Sequence, residues 1–193
     1  MPLSLFLIID NNTRSCLVAQ ALVSDETTES YKWILECTKK VTATEPLVFI
    51  TDADPAADAA VAQVYEMTYQ IHCIFHISEN LPRNLKSKLH NQYESFVRDF
   101  FLCHNSLYEE DFYERWSQLT ETYVNVKDYL MSALYPSWRA WACAFTSKTF
   151  TARTQTTSRV EGLNSIIKCT LSANGGLCDL ASALDARLEI EAE

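Results

Sequence analysis

Apolar positions in the first 75 residues fall into short strand-like runs separated by stretches of helical spacing. Leu3 to Ile9 is a strand-type run, and Asp10-Asn11-Asn12-Thr13 carries turn chemistry. Ser15 to Val23 is a second run, so the pair predicts a hairpin. A helix is expected from Ser24-Asp25, with acidic residues in its first turn. Tyr31, Ile34 and Leu35 form its apolar face, and Lys39-Lys40 complement the dipole at its C-terminal end. Leu47 to Ile50 is wholly apolar, as befits a strand buried on both faces. It runs into Thr51-Asp52-Ala53-Asp54, and Pro55 opens an Ala-rich helix reaching Met67. Tyr69 to Phe75 reads as a further strand. The order predicts an α/β fold with parallel pairing after the hairpin.

From Ile77 to about Phe150 the texture changes. Turn signals are few, and large apolar residues recur every three or four positions: Phe96, Phe100 and Phe101, then Phe112, Trp116, Leu119 and Tyr123, then Tyr129, Leu130 and Leu134. This spacing predicts helices packed on one another, with Phe112, Trp116, Leu119, Trp138 and Trp141 in their core. Thr151 to Thr157 is polar and reads as a linker; Ser158 to Ser172 is again helical. Asn174-Gly175-Gly176 stops that helix, and an acidic closing helix is expected over Leu177 to Ala192. Three regions follow: 1–76 as the first part of an α/β domain, 77–150 as a helical insertion, and 151–193 as the helices completing the domain.

The composition fits one compact domain or one domain with an insertion. The chain has 193 residues, 48% of them apolar and 21% charged. Only 3 glycines and 5 prolines argue against a turn-rich β-sandwich. Sixteen basic against 25 acidic residues give a net charge of −9, which opposes nucleic-acid binding by bulk electrostatics. Any such contact needs a local basic face. Arg83, Lys86, Lys88 and Arg98 form one candidate cluster; Arg153, Arg159 and Lys168 form another. Seven cysteines with no CxxC read as reduced thiols in the nucleus or cytoplasm. The apolar start lacks a basic leader and is too short for a secretion signal. No stretch reaches the roughly 18 apolar residues of a membrane span.

Several residues carry candidate chemistry. Asp52 follows a buried strand, where carboxylates commonly face a ligand crevice. Equally, Asp52 or Asp54 can cap the next helix. On a helix, Glu161, Asn164, Ser165 and Lys168 share one face, which can also be ordinary solvated surface. Cys73-x-x-His76 has zinc-compatible spacing, but a structural zinc site needs about four ligands. His72, His90, His104 and Cys103 could join it only through the fold.

The combination is more specific than its parts. Thr51-Asp52-Ala53-Asp54, Cys73-x-x-His76 and Arg159-x-Glu161-x-x-Asn164, in this order, resemble the transposase domain of Mutator-like elements. So do Asp25-Glu26-Thr27-x-Glu29-Ser30 before Trp33, and Trp138-Arg139-x-Trp141-Ala142 before Phe145. Plant transcription regulators of the far-red-impaired-response type are a related, domesticated form. The resemblance implies a ribonuclease-H-like sheet with an all-helical insertion. It also implies two Asp and one Glu holding two divalent ions, Mg²⁺ or Mn²⁺, for phosphoryl transfer on DNA. By motif, Asp52 is the second acid and Glu161 the third, both catalytic and metal-binding. Cys73 and His76 lie between them, for substrate handling or local structure. Arg153, Arg159, Asn164 and Lys168 are the candidate DNA contacts. The implied partners are terminal-repeat DNA and a second copy of the chain, with no membrane.

The first acid of the family lies on a strand upstream of the hairpin, so the sheet expected here is incomplete. Asp10 is the only early candidate, and its place in the hairpin turn argues against it. Two functions follow: a transposase fragment inactive by itself, or a non-catalytic remnant acting as an interaction domain in which Asp52 and Glu161 are fossils.

Overall fold

A computed structural model describes residues 2–9, 12–152, 154–170, 176, 178–182 and 184. Strands β1 (Leu3–Ile9) and β2 (Ser15–Leu22) pair antiparallel, with a register shift between Phe6 and Leu7. Helix α1 (Thr28–Thr42) leads to β3 (Val48–Thr51), α2 (Pro55–Val64) and β4 (Tyr69–His72). β3 and β4 pair in parallel from Val48↔Tyr69 to Thr51↔His72, as the strand–helix–strand order predicts. The fold is thus α/β, with two small sheets, β1–β2 and β3–β4. Phe6 meets Phe49 with ring centroids 6.1 Å apart, so side chains bridge the sheets. Among the described residues no hydrogen-bonded ladder joins them.

Pleating sends alternate side chains to opposite faces. On one face Leu5 and Leu17 pack with Leu163, Ile167, Leu180 and Leu184. Leu163 and Ile167 belong to α9 (Ser158–Thr170). On the other, Phe6 and Phe49 pack against Leu35 of α1 and Ala60, Val61 and Val64 of α2. Helices therefore cover both faces of the strands.

From Ile74 to Thr146 all regular structure is helical. The long helices are α3 (Ile74–Leu89), α4 (Tyr93–His104) and α5 (Glu109–Thr122). Short elements follow: α6 (Lys127–Tyr129), a π-type turn (Leu130–Leu134), α7 (Trp138–Trp141) and α8 (Cys143–Thr146). They enclose one core that contains Phe112, Trp116, Leu119 and Trp141, with Trp138 packed against it. The aromatic spacing had pointed to these residues.

Element boundaries differ from expectation in several places, α2 among them, which ends at Val64, short of Met67. The strand expected over 69–75 ends at His72: the Cys73 N–H makes a last rung to the Thr51 carbonyl at 2.7 Å, and the Cys73 carbonyl then accepts the Ile77 N–H at 3.2 Å, so that Ile74 starts α3. Ile74 packs on the helical core instead of the sheet. Helix α1 starts at Thr28, since Thr27 is its cap and accepts the Ser30 N–H. Asp25 lies outside the helix and accepts from the Thr27 and Ser30 hydroxyls, each at 2.7 Å. These bonds, Ser30 first, lower its pKa. Leu47, expected in β3, is exposed just before it. Most of the expected closing helix lies outside the described residues, although 178–182 and 184 are helical.

Candidate functional site

The parallel pair ends at Thr51 and His72, and the residues singled out by sequence gather just beyond. Asp52 is exposed in the short turn after β3. Ala53 beside it has φ 66°, a left-handed conformation costly for a residue with a Cβ. The Thr51 hydroxyl accepts the Ala53 N–H at 3.2 Å and holds this turn. Of the two acids that could cap α2, Asp54 does so, accepting the Ala56 and Ala57 N–H groups at 2.9 Å each. Burial, then the negative charges of Glu26, Asp54 and Asp52, raise the pKa of the Tyr31 phenol on α1.

Cys73 sits at the start of α3, wholly buried, and its Sγ accepts the Thr157 N–H at 3.4 Å. One turn on, His76 Nδ1 lies 3.2 Å from the Thr157 hydroxyl. That hydroxyl donates to Glu161 Oε1 at 3.0 Å, and His76 Nε2 lies 3.4 Å from the same oxygen. The fold thus joins Cys73, His76 and Glu161, separated by up to 88 positions, through Thr157, which sequence reasoning passed over as linker. Asp52 stands at the same end of the strands, because Thr51 and Cys73 are hydrogen-bonded neighbours there.

A second polar group lies beneath. Asp58 of α2 accepts the Thr51 hydroxyl at 2.7 Å on one oxygen and meets His72 Nε2 at 2.9 Å with the other. His72 is buried and its Nδ1 has no hydrogen-bond partner. Asp58 was also missed: in sequence it is simply an acid in the first turn of a helix.

The candidate DNA contacts diverge. Arg159 turns its guanidinium to the hairpin, donating to the Thr13 carbonyl at 2.7 Å and the Ser15 hydroxyl at 2.8 Å. Lys168 is exposed and Asn164 half-buried on α9. Arg153 and Asp10 lie outside the described residues. Arg83, Lys86 and Lys88 are exposed on α3, and Arg98 on α4 pairs with Asp99 at 3.8 Å.

Zinc and two-ion carboxylate sites were both possible from the sequence. Among the described residues, no group of three or more His, Cys, Asp or Glu side chains is arranged to hold a metal ion. His104 is drawn instead into the helical core, stacked on Trp141, with Cys143 Sγ 3.7 Å from its Nε2. Asp52 and Glu161 by themselves fall short of the ligand set for Mg²⁺ or Mn²⁺ pairs. Among the described residues no helix is long and apolar enough to cross a membrane.

Comparison with known proteins places the chain in context. The model of the MULE transposase domain matches residues 1–80. Protein FAR1-RELATED SEQUENCE 4 of Arabidopsis thaliana is 30% identical over 169 residues, covering 86% of this chain and 23% of the relative. Protein FAR-RED IMPAIRED RESPONSE 1 of the same plant is 26% identical over 167 residues, covering 86% and 20%. Protein FAR1-RELATED SEQUENCE 5 is 27% identical over 197 residues, covering 99% and 25%. The chain spans a quarter or less of the length of these curated relatives.

Proposed function

From a chain whose first 80 residues carry the MULE transposase-domain match, we propose a transposase-derived, DNA-interacting domain that does not cut DNA by itself. In this reading the two sheets are parts of one ribonuclease-H-like sheet, open between β1 and β3. Asp52 is the second acid and Glu161 the third. The supporting observation is that both acids stand at one end of the β3–β4 pair, linked by the Thr51–Cys73 bond and the His76–Glu161 contact. Phosphoryl transfer by two ions needs ligands that hold both ions about 3.5–4 Å apart. Two acids do not supply them, so a strand bearing the first acid is required. DNA contacts fall to Lys168, Asn164 and the α3 lysines, since Arg159 is engaged with the hairpin. A domain acting on DNA in this way works in the nucleus.

A second reading is favoured by the relatives, which are named for FAR-RED IMPAIRED RESPONSE 1. Here the acids are remnants, and the domain contributes DNA or protein binding to a regulator. One experiment separates the two. Terminal-repeat DNA is incubated with Mg²⁺ or Mn²⁺ and the chain, alone or supplied with an upstream Asp-bearing strand. The first reading expects cleavage only with the strand, abolished by Asp52→Asn. DNA binding without cleavage in either case supports the second. Asp52-dependent cleavage by the chain alone overturns the proposal and makes Asp10 the first acid.

A further inference from the structure

We infer that Thr157 is a positioning residue, whose hydroxyl fastens Glu161 to the Cys73-x-x-His76 turn so that the two motifs form one unit. The linkage rests on geometry alone; its bearing on DNA chemistry rests on the reading above. Thr157 immediately precedes α9. Its carbonyl accepts the Val160 and Glu161 N–H groups at 2.9 and 3.1 Å, which starts the helix. A threonine there ordinarily turns its side-chain oxygen back onto the second or third amide of the helix. Here the hydroxyl is directed to the Glu161 carboxylate at 3.0 Å and to His76 Nδ1 at 3.2 Å. The N–H is given to Cys73 Sγ at 3.4 Å. Every polar group of this half-buried residue is therefore engaged, two of them with the Cys-x-x-His turn.

The geometry also accounts for the spacing of that turn. Cys73 is the cap of α3 and His76 the third residue within it, so the two side chains emerge on one side of the helix start. The sulfur accepts the backbone N–H of Thr157, and the imidazole meets its side-chain oxygen. The preceding stretch, Thr151 to Thr157, forms no helix or strand among its described residues, so nothing in its own backbone aims α9. The body of α9 is held on the hairpin by Leu163, Ile167 and Arg159, and the tie to Cys73 and His76 fixes its first turn. Glu161 is thereby oriented by α3 as well as by its own helix.

The test uses the full chain with Thr157→Val and Thr157→Ser. Two-bond ¹H–¹⁵N correlation of the imidazoles reads the His76 ring, with His104 as internal control. Mass-spectrometric alkylation rates read the buried Cys73 thiol. Thr157→Val keeps the backbone N–H but removes the hydroxyl, so it should move the His76 ring resonances and, by loosening the segment before α9 that covers the thiol, raise Cys73 alkylation several-fold, leaving the His104 ring unchanged. Thr157→Ser should restore both. If Thr157→Val proves unfolded, Glu161→Gln should move the same His76 resonances in a folded chain. Unmoved His76 resonances in the folded variant, or a serine variant that behaves like the valine one, overturn the inference. Neither readout depends on DNA cleavage. Success here with failure in the cleavage assay keeps the positioning role and removes the catalytic reading.

Discussion

The helical segment between Ile74 and Thr146 and the α/β part around it are held together by different means. The helical segment has one continuous core, centred on aromatic rings. Phe112 is fully buried, and the rings of Trp116, Trp138, Trp141 and Phe145 lie within 6.0 Å of it, centroid to centroid. The α/β part has two smaller clusters on opposite faces of its strands. The end of its strands is tied by polar contacts: Thr51–Asp58–His72, Cys73–Thr157–Glu161, and Arg159 on the hairpin turn. Apolar burial is non-directional and contributes bulk stability. Hydrogen bonds contribute less net energy but fix orientation. The helical segment is thus held mainly by apolar burial, and the strand ends by contacts that orient particular atoms.

Substitutions should separate the two. The largest effect is expected for Phe112→Ala, which empties the centre of the aromatic core. Truncation of a buried Phe costs about 3–5 kcal/mol, measurable by urea unfolding. A smaller loss would mean that the rings collapse into the space and that the core is less tightly organised than described. Next, Asp58→Ala should cost about 1–3 kcal/mol, because it strips partners from the Thr51 hydroxyl and His72 Nε2. Its amide signature should be confined to the ends of β3 and β4, with the helical segment unchanged. Asp54→Ala removes the α2 cap, for about 1 kcal/mol, and should leave the Glu161 contacts intact.

The smallest expected effect concerns pH. Burial lowers the pKa of His104 in the helical core. On acidification the unfolded chain then takes up this proton before the folded one. The His104 contribution is therefore complete above the unfolded value of about 6.5, and is lost as pH falls below it toward the folded value. His104→Phe should flatten the decline in unfolding free energy as pH falls below about 6.5, relative to the native chain. An unchanged slope would show that the ring accepts its proton in the folded state at no cost.

Much of the architecture was legible because it depends on periodicity. The hairpin, the parallel β3–β4 pair and the helical run with Phe112, Trp116 and Trp141 inside it all follow from apolar spacing. What was not legible depends on contacts between distant residues. Ile74-Phe75 read as strand because two bulky apolar residues suit either element; the Cys73–Ile77 backbone bond and the packing of Ile74 on the helical core decide for helix. Thr157 looked like linker because its value lies in partners 81 and 84 positions away. Asp52 and Glu161 were found through their motifs, whereas Asp58, with no motif around it, was indistinguishable from a dipole-favoured acid. Arg159 stood in the sequence as a candidate DNA contact, and only the fold reveals the hairpin carbonyl it holds.

Residue-resolved native-state hydrogen exchange tests the contrast most directly, because it reads the opening free energy of each segment separately. Amides of α4 and α5 around Phe96, Phe100, Phe112 and Trp116 should exchange slowest, close to the limit of global unfolding. Those of β1, β3 and the first turn of α9 should exchange at distinctly lower free energies, since each strand has one partner among the described residues. Uniform protection across β1, β3, α4 and α5 would contradict the account, showing that the α/β part closes its sheet and shares a single cooperative core with the insertion.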